Sequence, residues 1–176
     1  MKENAAYNEQ FVGECLKKIR KAPDAEEGLN QLLRFLGERL ECDRVYVFEE
    51  MDRQHIHNTY EWCRAGIPSQ KAALQQVPLD GIPYLFETFN KKQHLIISRT
   101  GELRDSYPSE YRYLTARNTD SLFAVPFEDE SAFSGYIGID NPNINQDTIK
   151  LLDSIAYNIA NEIKKRRLYE RLEYEA

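Results

Sequence analysis

Apolar positions near the N-terminus recur every four residues. Tyr7, Phe11, Cys15 and Ile19 form the stripe, Val12 and Leu16 lie beside it, and the spacing predicts a helix over 4–21 that ends before Pro23. Asp24 stands three residues before Glu27, an Asp form of the capping box, and Leu29, Leu32, Leu33, Leu36 and Leu40 follow at helical spacing. A second helix is predicted over 25–41. The texture then becomes β-branched and aromatic: Val45-Tyr46-Val47-Phe48, and the stretch from Ile56 through Tyr60 to Trp62, flank a polar connector and read as a hairpin.

Between Gly66 and Pro83 the Gly and Pro punctuation encloses an Ala/Gln-rich stretch read as a short helix. Another short helix is expected over 84–91, then a strand over 94–98 and a short helix from Ser106 to Thr115. Residues 121–127 and 135–140 read as two strands joined by the acidic connector Glu128-Asp129-Glu130. Asn145 is positioned to cap a last helix in which Ile149, Leu152, Ala156, Ile159 and Ile163 keep a 3-4 spacing, resumed after a shift by Leu168 and Leu172. At 1.5 Å per residue this helix is about 45 Å long. It stops at Glu175-Ala176 with no Gly, Pro or cap, which suggests a natural polypeptide that continues.

Composition narrows the class. A chain of 176 residues holds one domain with a real core. With 29 acidic against 23 basic residues the net charge of −6 argues against a phosphate-coating surface, so no nucleic-acid partner is expected. No apolar run approaches a bilayer span and no leader pattern opens the chain, so no membrane contact is expected and the protein reads as cytoplasmic. Cys15, Cys42 and Cys63 are scattered without a C-x-x-C pair, which suggests reduced thiols.

Candidate chemistry is sparse. His55 and His57 share one side of a strand and could supply two metal ligands, but no third lies nearby and no metal is expected. Cys63 beside Trp62 and Arg64 could be an activated thiol or simple packing. Gly135 and Gly138 lie in a strand pattern rather than in a phosphate loop, where they permit a bend or a close approach, and no cofactor motif is present. The run Lys164-Lys165-Arg166-Arg167 is interleaved with Glu162, Glu170 and Glu173 and reads as a solvated or coiled-coil flank, with Arg166–Glu170 one of its pairs. The candidate small-molecule set is aromatic and polar: Tyr60, Trp62, Arg64, Tyr84, Ser98, Tyr113, Phe123 and Asp140.

The element order, with 121–127, Gly135-Tyr136-Ile137-Gly138-Ile139-Asp140-Asn141-Pro142, and 151–163 as last strands and closing helix, resembles a GAF domain over 24–163. Asn58-Thr59-Tyr60-Glu61-Trp62-Cys63 with Gly66-Ile67 is similar to sensors found ahead of diguanylate cyclase or histidine kinase modules of bacterial signalling proteins. The resemblance implies an α+β, PAS-related fold: a central antiparallel sheet of five or six strands, terminal helices on one face, and short helices over a pocket on the other. Asn90-Lys91 lacks the Phe and Asp-Glu that follow in cyclic-nucleotide members, no cysteine after Cys63 could attach a bilin, and the clustered cysteines of the methionine sulfoxide reductase branch are missing.

The expected organisation is thus a linker or dimerisation helix over 1–23, a sensor over 24–163 and the start of an exit signalling helix over 164–176. The expected function is non-enzymatic: an unidentified small ligand is bound, and its state passes to an output domain on the same chain. The resemblance also implies a parallel homodimer, and the seam is assigned to Phe11, Cys15, Ile149, Leu152, Ala156, Ile159 and Ile163. A ligand-free dimerisation spacer and a redox enzyme using Cys63 are the alternatives.

Overall fold

The computed structural model describes residues 24–143 and 146–175, together with 10, 11, 13–15 and 17, which are helical. The remainder of the helix expected over 4–21, and the cap expected at Asn145, lie outside the described residues. Helix α1 (Ala25–Leu40) starts as its sequence directs, with the Asp24 carboxylate accepting from the Glu27 amide at 2.7 Å. Strands β1 (Arg44–Met51) and β2 (His55–Cys63) form the first hairpin. The excursion that follows contains β3 (Val77–Pro78), a 3-10 turn at Leu79–Gly81, helix α2 (Pro83–Asn90), β4 (Leu95–Ile97), a 3-10 turn at Thr100–Leu103 and helix α3 (Pro108–Ala116). The hairpin β5 (Leu122–Asp129) and β6 (Ala132–Asp140) and the 30-residue helix α4 (Gln146–Glu175) complete the chain. The Ala/Gln-rich stretch before β3 holds turns instead of the expected helix, since it is too short and too polar to bury a helical face.

The six strands pair antiparallel in the order β3-β2-β1-β6-β5-β4. Alternation divides their side chains between two cores. Val45, Val47, Phe123, Val125, Phe127, Ile137 and Ile139 face α1 and α4, while Tyr46, Phe48, Leu122, Ala124 and Tyr136 face the excursion. Gly138 lets the Tyr46 ring lie on β6, because a Cβ there would stand 2.3 Å from that ring. On the helical side the α4 stripe of Leu152, Ile155, Ala156, Ile159 and Ile163 is buried against the molecule's own sheet.

This burial corrects the expected dimer seam. Phe11, Cys15, Leu152, Ala156, Ile159 and Ile163 are core residues of a single chain, and Ile149 is partly buried against the same core. An apolar helical stripe needs an apolar surface to cover it, and periodicity does not say whether that surface is the chain's own sheet or a second copy. The large apolar side chains that α4 leaves exposed are Tyr157, Leu168, Tyr169, Leu172 and Tyr174.

Candidate functional site

The excursion side of the sheet is lined with rings. Phe48 stacks on Tyr136 at 5.1 Å, Phe89 from α2 on Tyr136 at 4.7 Å, and Tyr46 meets Phe48 edge-on at 5.6 Å. Leu85, Leu103 and Leu114 fill the space under the short helices. Two of the expected ligand residues, Tyr113 and Asp140, come together here. Tyr84 stacks on Tyr107 at 4.3 Å, Ser98 is exposed, and Arg64 pairs with Asp43 at the surface.

Tyr60, Trp62 and Phe123 are on the opposite, helical side. Phe123 follows the ordinary alternation of β5. For Tyr60 and Trp62 the cause is a bulge in β2: Val47 pairs with Tyr60 and Phe48 with Asn58, so Thr59 is extra and the strand changes face there. Asn58 holds the bulge, its buried amide donating to the carbonyls of Val47 and Tyr60 at 2.9 and 2.8 Å. Trp62 then lies on Gly37 of α1, where a Cβ would come within 2.0 Å of its ring.

Tyr113 and Asp140 belong to a buried ionic cluster at the C-terminal end of β6. The Asp140 carboxylate, fully buried, accepts from the Tyr46 hydroxyl at 2.7 Å, from Arg44 Nη1 at 3.2 Å and from Arg117 Nη2 at 3.5 Å. Arg44 also donates to the carbonyls of Pro68 and Arg117, which ties the loop after β2 and the end of α3 to the sheet. Arg117 caps α3; its Nη1 donates to the Tyr113 hydroxyl at 3.0 Å, and its guanidinium lies over the Tyr46 and Tyr113 rings at 5.1 and 5.0 Å. Burial, and then Asp140, push the Tyr46 phenol well above its ordinary range, so it remains a donor. Asn141 follows directly, in the left-handed region at φ 54°, accepting from the amides of Asp120 and Ser121 and donating to Asp43 and to the Asn118 carbonyl. Strand β6 thus leaves the sheet toward α4 through two residues bonded to the end of α3.

A second tie holds α4 farther along. Glu49 on β1 is 1% exposed; its carboxylate receives Arg166 Nη2 and Arg167 Nη2, each at 2.8 Å. Arg166 also donates to the Tyr60 hydroxyl and Arg167 to Ser134. Half of the basic run is therefore a latch rather than a solvated flank, although the expected Arg166–Glu170 pair is present at 3.6 Å. Burial raises the Glu49 carboxyl, but the Thr59 hydroxyl and the two guanidiniums together outweigh it and the group ends below the usual carboxylate range. Its contribution is then complete above the unfolded value near 4.3 and is lost as pH falls through the lower folded value. Hydrogen exchange over 164–172 is expected to be constant from neutral pH to about pH 5 and to accelerate below about pH 4, after correction for intrinsic rates. Glu49→Gln should already exchange faster at neutral pH and lose that acid step.

The cysteines and histidines have ordinary surroundings. Burial and the neighbouring Glu61 push the Cys63 thiol up to about 11, and burial takes Cys42 to about 12, so Arg64 does not activate Cys63. Alkylation of Cys63 by iodoacetamide at pH 8 should run at least about tenfold slower than that of an unstructured cysteine. His55 bonds Asp52 and His94 bonds Asp153, a partner its sequence context did not reveal. No group of three metal-ligating side chains occurs among the described residues.

Two features define the excursion's outer side. Glu110 of α3, fully buried, accepts from the Tyr84 amide at 2.7 Å and so caps α2 from another helix. Where α2 meets the β1–β2 turn, a cavity of about 430 Å³ opens over Pro78, Leu79, Pro83 and Phe86, rimmed by Arg53, His55, Asp80 and Glu87. Sequence reasoning missed Arg44, Glu49, Glu110 and Arg117, because a single charge in an apolar or helical stretch does not name a partner tens of residues away. No described helix is long and apolar enough to cross a membrane.

The family model of the GAF domain matches residues 24–163. Among curated proteins, the methanogenesis regulatory histidine kinase FilI of Methanothrix harundinacea is 30% identical over 125 residues, which is 67% of this chain; the match spans only 14% of that kinase's length. The GAF domain of a phosphoenolpyruvate-protein phosphotransferase from Coxiella burnetii superposes with a TM-score of 0.75 at 16% identity, covering 96% of this chain and 99% of that one. A phycocyanobilin-bound GAF domain from a cyanobacterial phytochrome gives 0.73 at 19% identity, with 92% and 96% covered. At such identities the superpositions speak for the fold alone, and they agree with the antiparallel sheet, its two helical layers and the expected α+β architecture. The family match over four-fifths of the sequence decides the assignment: this chain belongs to the GAF domain family, the sensory domains of signalling proteins.

Proposed function

We propose that this GAF domain is a non-enzymatic regulatory module that takes up a small molecule on its excursion side and passes its state through α4 to an output domain on the same polypeptide. The observation that carries the reading is the Arg117–Asp140–Asn141 junction, in which the cap of α3 is bonded to the residues that lead from β6 toward α4. A ligand that moved α3 would act on α4 through this junction, provided it binds the two arrangements with different affinity. The histidine kinase relative favours a kinase output over a diguanylate cyclase, and the module is read as working in the cytoplasm. A parallel homodimer, if formed, uses the face of α4 that carries Tyr157, Leu168 and Leu172, since the opposite face is buried in the chain's own core. The ring-filled excursion side favours a second reading, a spacer that holds no ligand. Native mass spectrometry of protein made in several hosts separates the two, with sedimentation giving the assembly. A copurifying small molecule, or one from a metabolite panel that raises Tm, supports the sensor. Protein that binds nothing in either assay supports the spacer.

A further inference from the structure

The cluster under α3 is out of charge balance. Arg44 and Arg117 are 2% and 4% exposed, and among the described residues Asp140 is the one carboxylate bonded to either. Asp140 is divided unequally: Arg44 holds it at 3.2 Å and is otherwise satisfied by three carbonyl contacts, whereas Arg117 reaches it only at 3.5 Å. Arg117 Nε is buried with no hydrogen-bond partner among the described residues, and so is the hydroxyl of Thr119, two residues on in the same loop. A buried guanidinium lacking a full counter-charge and an unsatisfied buried hydroxyl two residues away in the chain are both costly to maintain. Its remaining polar contact is the hydroxyl of Tyr113, which is half-buried.

We propose that Arg117 and Thr119 form an oxyanion site, taking the carboxylate or phosphate of the ligand. This rests on the sensor reading and names the chemistry of its ligand. The anion receives Arg117 Nε and the Thr119 hydroxyl, supplies the missing negative charge, and draws Arg117 away from its long contact with Asp140. Asp140 remains neutralised by Arg44, while the link from α3 to β6 is loosened, so uptake of the anion and release of the junction become one event. Planar guanidinium with two donors on one edge matches carboxylate and phosphate geometry better than a lysine ammonium does.

The test uses benzoate and inorganic phosphate as probes, exchanged for chloride at constant ionic strength, with benzyl alcohol as the neutral match for benzoate. At least one anion should raise Tm by about 3 °C or more once it exceeds its Kd roughly tenfold. Which anion does so distinguishes a carboxylate from a phosphate ligand. The same anion should shift the Arg117 Nε–Hε resonance. Thr119→Val, which keeps the shape, and Arg117→Lys, which keeps the charge, should each weaken the effect about tenfold. Anions that do no more than chloride, or that act equally on both variants, overturn the site. A neutral compound that stabilises wild type and Thr119→Val alike, with both anions inert, also overturns it while leaving the sensor reading standing.

Discussion

Replacing Ile159 by lysine is expected to unfold the domain, at a cost of about 4 kcal/mol or more. Ile159 is fully buried in the core between α4 and the sheet, and the carboxylates that hold basic side chains of α4 are already engaged: Glu49 by Arg166 and Arg167, Asp129 by Lys164. A lysine there must either discharge or drag water into the core, and either outcome consumes much of the 5–15 kcal/mol that typically stabilises a domain. Leu168→Lys, on the exposed face of the same helix, should stay within about 0.5 kcal/mol of wild type in monomer stability. Any effect of Leu168→Lys on sedimentation would then report assembly. Thermal unfolding of the two variants side by side separates core from seam: a folded monomeric Ile159→Lys protein would put that residue in a dimer interface and not in the core.

Asp140→Ala should be the most damaging change on the other side of the sheet, at about 3–5 kcal/mol. The substitution leaves Arg44 and Arg117 buried without their shared carboxylate and takes away the acceptor of the Tyr46 hydroxyl. Asp140→Asn keeps an acceptor for Tyr46 while removing the charge, so it should lie between Ala and wild type. Because Asn141 bonds Asp43, Asn118, Asp120 and Ser121 from the next position, loss of order in the Asp140→Ala protein should extend to the start of α4, which hydrogen exchange resolves segment by segment. Equal stability of Asp140→Ala and wild type in urea unfolding would contradict the role given to this cluster.

The elements were legible in the sequence wherever local patterning and the core agree. Asp24 capped α1 as its spacing predicted, the two hairpins followed β-branched and aromatic runs, and the 3-4 stripe of α4 was buried. What periodicity could not convey is the identity of the surface that covers a stripe, which is why Ile159 and Ile163 read as a seam. Nor could alternation alone follow β2 across its bulge. Ile56, Asn58, Tyr60 and Trp62 occupy even positions, yet the extra residue Thr59 puts the first two and the last two on opposite faces. An asparagine in mid-strand was the available hint, since a buried amide there needs partners that a regular ladder does not offer.

The site was less legible for a related reason. In the sequence Tyr113 stands out as an aromatic with a polar handle and Asp140 as a polar group close to a strand end, but their relation runs through Arg117, and nothing local marks Arg117 as buried. Glu49 and Arg166 are separated by more than a hundred positions and are joined only by the docking of α4 across β1. Long-range ion pairs of this kind depend on tertiary geometry, to which a helical charge pattern is blind.

On the proposed function, the end of α3 and the exit helix are coupled through Arg117, Asp140 and Asn141. Hydrogen exchange over 146–175 in Arg117→Lys against wild type tests this coupling most directly, because the substitution keeps the charge and alters only the guanidinium contacts at the junction. Exchange in the first turns of α4 should be faster, with protection of β1 and β2 unchanged. An Arg117→Lys protein whose loop around 113–120 exchanges faster while α4 keeps wild-type protection throughout would contradict it.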